Sequence, residues 1–90
     1  MAKLIFTESY EKRAKEFLRR HSELKNQYAK VIKLLSINPY HPSLRLHRLH
    51  GKLSMFYSVS INISYRITLQ FLINKDTIIP IHIGKHEEVY

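Results

Sequence analysis

The spacing of apolar residues changes period near Leu53, and that change limits the fold more than any other feature of the chain. Before it, apolar residues recur at helical spacing: Tyr10, Ala14, Phe17 and Leu18, then Leu24, Tyr28, Val31, Ile32 and Leu35. Spacing of this kind lays one apolar stripe along a helix. After it the period is two. Leu53, Met55, Tyr57 and Val59 alternate with Ser54, Phe56, Ser58 and Ser60. Ile61, Ile63, Tyr65, Ile67, Leu69, Phe71 and Ile73 then alternate with Asn62, Ser64, Arg66, Thr68 and Gln70. Alternation puts one set of side chains on each sheet face, so these runs read as half-buried strands.

Local signals set the boundaries. Lys3 to Phe6 reads as a short strand, and Thr7 is placed to cap the first helix, with Glu8 and Glu11 in its first turn. Arg19, Arg20 and His21 suit its C-terminal end. Ser22 and Glu23 open a second helix, which Asn38-Pro39 closes, because the residue before proline avoids helical geometry. Residues 39–52 read as a loop pinned by Leu44, Leu46 and Leu49. Asn74-Lys75-Asp76 reads as a turn, and Ile79, Ile81 and Ile83 as a last strand with Pro80 at an edge or bulge. The expected fold is α+β, in the order β-α-α-β-β-β. A helical hairpin packs on one face of a mainly antiparallel four-stranded sheet, and Arg66 points to the other face. The 90 residues make one domain, 1–90.

Charge is distributed unevenly. The net charge is +8. From Leu24 to Lys75 there are eight Lys or Arg and no Asp or Glu, whereas residues 1–23 mix six basic with four acidic groups. Such a stretch presents a positive field to RNA or to an acidic protein. There is no cysteine, which removes disulfides and thiolate metal sites. No apolar run approaches a signal peptide or a membrane span, so a cytoplasmic protein without membrane contact is expected.

Four strings sit in a telling order: Asn38-Pro39 after the second helix, His47-Arg48-Leu49-His50-Gly51 before the first long strand, Ser64-Tyr65-Arg66-Ile67 in the middle strand, and Ile83-Gly84-Lys85-His86-Glu87-Glu88-Val89-Tyr90 at the end. In these strings and in element order the chain resembles the RelE/ParE superfamily of toxin–antitoxin toxins, and the YafQ- and RelE-type messenger-RNA interferases in particular. The resemblance implies a toxin that enters the ribosomal decoding site, cuts the message there, and is blocked by a cognate acidic antitoxin in a hetero-oligomer. It puts a catalytic histidine at His47, a second at His86, a phosphate-contacting arginine at Arg66 and a base-stacking aromatic at Tyr90. The chain departs from the pattern at Ser60 and Ser64, where YafQ-like toxins carry a histidine and an aspartate. The ParE branch, which shares the fold and inhibits DNA gyrase without cutting RNA, is the alternative reading. A degenerate toxin that binds only antitoxin or RNA is another.

The residue types suit the chemistry. In RNA self-cleavage the 2′-hydroxyl attacks the adjacent phosphate, so the reaction calls for no metal or other cofactor. A base must take the hydroxyl proton, an acid must protonate the leaving oxygen, and cations must hold charge on phosphorus. Imidazole titrates near neutral pH and the arginine fork matches phosphate oxygens. Catalytic candidates are therefore His47, Arg66 and His86, with His50 in reserve. RNA-binding candidates are Arg45, Arg48, Lys52, Lys85 and Tyr90. His21 and His41 read as ordinary surface or capping residues. Tyr65 reads as core, and His82 shares Arg66's expected face. His47, His50 and His86 make a poor metal set, since only Glu87 and Glu88 lie near them as carboxylates.

Overall fold

A computed structural model describes residues 1–85. β1 (Lys3–Leu4) leads into α1 (Glu8–Arg20), a single 3₁₀ turn over Ser22–Leu24, and α2 (Lys25–Ile37). Thr7 caps α1, accepting the Tyr10 backbone N–H at 3.2 Å, and Glu8 and Glu11 occupy the first turn. Asn38 is extended and its N–H closes on Leu34 O at 2.7 Å, which ends α2 where Pro39 requires it. The chain then forms β2 (His47–Arg48), β3 (Tyr57–Ser60), β4 (Tyr65–Leu72) and β5 (Thr77–Lys85).

The sheet has five strands, not four, in the order β1-β5-β4-β3-β2. β1 runs parallel to β5 and every other neighbouring pair is antiparallel. The added strand is β2, inside the segment whose composition reads as loop. Two residues are too few to show alternation, and β2 is recognisable only by its partners: His47 opposite Ser58 and Arg48 opposite Tyr57. Leu44 and Leu49 on either side are almost fully buried and anchor it.

The alternating run is also interrupted. Residues 51–53 form a 3₁₀ turn, so Leu53 and Met55 are exposed and strand geometry begins only at Tyr57. Residues 61–64 are a hairpin turn. Asn62 Oδ1 accepts the Ser64 and Tyr65 N–H groups at 2.9 and 2.8 Å, and Ser60 Oγ donates to Asn62 O at 2.7 Å. An Asn side chain that mimics a backbone turn reverses the chain inside an otherwise strand-like sequence. The Asn74–Asp76 turn is as expected, with Asp76 left-handed at φ 50°. Pro80 lies at a bulge: the β4–β5 register shifts between Thr68 and Leu69.

Both helices cover one sheet face. Tyr10, Ala14 and Phe17 of α1 and Val31 and Leu35 of α2 form one core with Val59, Ile67, Leu69, Phe71 and Ile78. The Tyr10 and Tyr28 hydroxyls meet at 2.9 Å, and burial raises both phenol pKa values. Among the described residues no helix is long and apolar enough to cross a membrane.

Ile63 and Ile67 share one parity of the alternating run but are 93% and 0% exposed. Ile67→Ala should therefore cost about 2–5 kcal/mol, and Ile63→Ala no more than about 0.5 kcal/mol. Urea denaturation of both variants measures the difference, and similar losses would place Ile63 in the core.

Candidate active site

The face away from the helices is polar because the second parity of each strand is polar. Sheet register aligns His47, Ser58, Thr68 and His82 in one cross-strand row, and Ser60, Arg66 and Gly84 in the next. Arg66 is only 7% exposed. Its Nε donates to Ser58 Oγ at 2.6 Å, and its Nη2 lies 3.3 Å from both Arg45 O and His47 Nδ1. No carboxylate is among these partners. The remaining group, Nη1, takes part in none of these bonds.

Arg45 shapes the site through its backbone. It follows the Pro42–Leu44 turn in the left-handed conformation, φ 50° and ψ 47°, with its N–H on Pro42 O at 3.2 Å. A non-glycine residue there costs of order 1–3 kcal/mol. The conformation turns its carbonyl toward both Arg66 Nη2 and His47 Nδ1, the latter at 3.1 Å. His47 Nδ1 thus faces an acceptor and a donor at once. With a proton on Nδ1 it donates to Arg45 O. With the proton on Nε2 it accepts from Arg66. Either tautomer has a partner, so the ring is held whichever nitrogen carries the proton.

Of the residues expected in the site, Arg45, His47 and Arg66 come together. Arg48 is exposed, and its guanidinium Nε donates to Ser54 O, which ties β2 to the turn after it. His50 and Lys52 are exposed on that turn, with His50 O accepting Leu53 N–H at 3.4 Å. Lys85 pairs with Tyr65, on the helix side of the sheet rather than with Arg66. Gly84 is the cross-strand partner of Arg66. His86 and Tyr90 lie outside the described residues. His41 is a capping residue, its Nδ1 accepting the Ser43 N–H at 3.1 Å. Tyr65 packs by its ring against Phe17 at 5.1 Å.

Ser58 is the residue that sequence reasoning missed. It is fully buried, and it looks like any polar member of an alternating run. Only its register, two residues along β3 from Arg66's partner Ser60, brings its hydroxyl to the guanidinium. Beside it, Thr68 Oγ1 is buried without a hydrogen-bond partner among the described residues.

No protein-family model matches the sequence, and no curated protein matches it. Solved structures do match. A copper-bound variant toxin from Helicobacter pylori superposes with a TM-score of 0.75 at 25% identity, covering 100% of both chains. YafQ from E. coli strain BL21(DE3) gives 0.79 at 15% identity, over 100% of this chain and 99% of that one. A chain of the E. coli DinJ–YafQ toxin–antitoxin complex gives 0.77 at 18% identity, over 99% and 97%. This chain has the fold of toxin–antitoxin toxins, with YafQ among its neighbours, as its resemblance to the RelE/ParE superfamily implied. The Helicobacter protein holds copper. Among the described residues here, no three His, Cys, Asp or Glu side chains gather at one place.

Removing the Ser58 hydroxyl leaves Arg66 Nε unpaired inside the protein. Ser58→Ala should cost about 1–3 kcal/mol, and combining it with Arg66→Met should recover much of that loss. A double-mutant cycle by urea denaturation tests the coupling, and strictly additive losses would mean the bond holds nothing.

Proposed function

We propose that this chain is the toxin of a toxin–antitoxin pair, a ribosome-dependent endoribonuclease that cuts translated messenger RNA by attack of the 2′-hydroxyl. One observation carries the reading. A guanidinium is held inside a sheet face by a serine hydroxyl and a backbone carbonyl, with no carboxylate partner among the described residues, beside an imidazole. A cation that had only a structural task would gain most from an acidic partner. One whose charge meets no carboxylate among the described residues, with Nη1 outside its internal bonds there, suits a phosphate.

In this reading the 2′-oxygen bonds to phosphorus while the bond to the 5′-oxygen breaks. Arg66 holds the charge that builds on the phosphate oxygens. His47, held by Arg45 O and Arg66, takes the 2′-hydroxyl proton or returns one to the leaving oxygen. His86 is the proposed second proton carrier and His50 the reserve. Arg45, Arg48, Lys52 and Lys85 hold the RNA backbone, and Tyr90 stacks on a base. The ends produced are a 2′,3′-cyclic phosphate and a 5′-hydroxyl.

A gyrase-inhibiting, non-cutting role is the competing reading. It draws on Ser60 and Ser64, which stand where YafQ-like toxins have acid–base groups and which here lie at the hairpin turn. Induction of the protein followed by mapping of message ends separates the two. Cuts within translated codons carrying cyclic phosphates support the nuclease. DNA-damage induction without cuts supports the inhibitor. Arg66→Ala should lower cleavage by about 10²–10³, and His47→Ala by about 10²–10⁴. Ribosome binding should change little, because it rests on many phosphate contacts. A 3′-hydroxyl product would sink the mechanism, and full toxicity of Arg66→Ala at equal expression would remove Arg66 from it.

The acid-free stretch from Leu24 to Lys75 further supports a small acidic antitoxin as partner. Affinity capture of the toxin co-expressed with its neighbouring reading frame should recover such a protein in a complex that salt weakens. Recovery of the toxin alone would argue against it.

A further inference from the structure

A cavity of 640 Å³ lies away from the Arg66 guanidinium. It lies between the C-terminal half of α1 and the end of the β4–β5 pair, where Arg13, Arg20, His21, Tyr65 and Lys85 line it together with His82 and Gly84 of β5. Its aromatic wall is a ring cluster. The His21 ring centroid lies 4.6 Å from Phe17 and 4.8 Å from Tyr65. Its cations come from two elements, Arg13 and Arg20 on α1 and Lys85 on β5.

The cavity is electropositive in effect as well as by count. Its single acidic lining residue among the described residues, Glu16, is engaged by Arg19, whose Nη2 donates at 2.7 and 2.8 Å and whose Nε donates at 3.1 Å. That pair holds the Glu16 carboxyl below its usual pKa, through its hydrogen bond to Arg19. Arg20 reaches Glu16 only at 3.8 Å, and Arg13 and Lys85 are in no ion pair among the described residues. An aromatic wall beneath cations of which two, Arg13 and Lys85, have no ion-pair partner among the described residues offers a stacking surface and phosphate contacts together.

We infer that this cavity binds one nucleotide unit, its base on the His21–Tyr65 wall and its phosphate between Arg13, Arg20 and Lys85. We assign that unit to the RNA strand bound at Arg66. The placement favours a strand over a free nucleotide. Tyr65 and Lys85 face each other across β4 and β5, and the next pair inward is Arg66 and Gly84. The cavity and the Arg66 site therefore adjoin at one end of the same two strands, sharing Gly84, so that one strand of RNA can reach both. This rests on the RNA-cutting reading for the strand's identity.

The test uses the full chain and a fluorescent hexanucleotide with 2′-O-methyl groups, which cannot be cut because the nucleophile is blocked. Arg13→Gln with Arg20→Gln, both exposed on α1, should weaken binding at least tenfold. It should also flatten the salt dependence by about 0.7–1.4 in log–log slope, the share of one or two phosphates on a single strand. Lys15→Gln, exposed on α1 outside the cavity lining, should bind within a few-fold of wild type and still show the hexanucleotide shifting His21 ring proton resonances. Wild-type affinity and slope in the double variant would overturn the inference, as would silent His21 resonances. AMP that saturates the cavity as tightly as the hexanucleotide would make a free nucleotide the ligand and overturn the strand assignment. An acidic peptide that displaces the hexanucleotide while unmodified RNA does not bind would give the cavity to a protein. If the double variant loses hexanucleotide binding and induction yields no cut messages, the cavity stands and the nuclease reading falls. Cut messages with an unaffected double variant mean the reverse.

Discussion

A cation buried among neutral dipoles governs the polar half of this molecule. Moving a guanidinium out of water is expensive, and the penalty is ordinarily offset by a carboxylate. Among the described residues Arg66 has instead the Ser58 hydroxyl, the Arg45 carbonyl and the His47 ring. These three groups come from three stretches of chain: β3, the turn before β2, and β2 itself. Each must be in place for the others to be useful. The two-residue strand β2 is thus more than an edge ornament. Its pairing with β3 sets His47 opposite Ser58 and brings the Arg45 carbonyl over the guanidinium. Leu44 and Leu49, buried on either side, hold that arrangement to the body of the protein.

The opposite face of β4 supplies the rigidity. Ile67 and Leu69 are completely buried, and Phe71 nearly so, against α1, α2 and β5. Arg66 and Thr68 alternate with them, so the strand that carries the cation is fixed by the core on its other side. Close-packed interiors tolerate little displacement. A reactive geometry borne on a central strand inherits that stiffness, which suits a task that depends on position.

The periodicity change was enough to read two helices followed by strands, and Thr7, Asn38-Pro39 and Asp76 marked boundaries that the structure keeps. What escaped has a common physical cause. Alternation continues through Ile61 and Ile63 as if no turn were there, because the reversal depends on one side chain, Asn62, bonding backbone groups. β2 escaped because pairing defines it and two residues carry no period. For the site, Arg66 and His47 stood out as charged or titratable groups in unusual settings. Ser58 did not, since a serine in an alternating strand is unremarkable until register places it. The carbonyl of Arg45 was beyond reach for a related reason: a sequence shows side chains, and here the working group is backbone. His86 and Tyr90 lie outside the described residues, so the resemblance alone carries them.

Arg45 shows how far one position can be constrained by both fold and function. Its side chain is exposed and positively charged, as an RNA contact requires. Its backbone is left-handed, where glycine or asparagine would sit with less strain. A glycine would keep the carbonyl where Arg66 and His47 need it and would remove the strain, but it would also remove the cation. An alanine would keep the strain and lose the charge. Selection for stability alone favours glycine here, so an arginine at this φ implies that the side chain has a task worth the conformational penalty. In the proposed reading the two cations, one exposed on a strained turn and one fixed inside the sheet, would divide the handling of a polyanion between capture at the surface and charge stabilisation at depth.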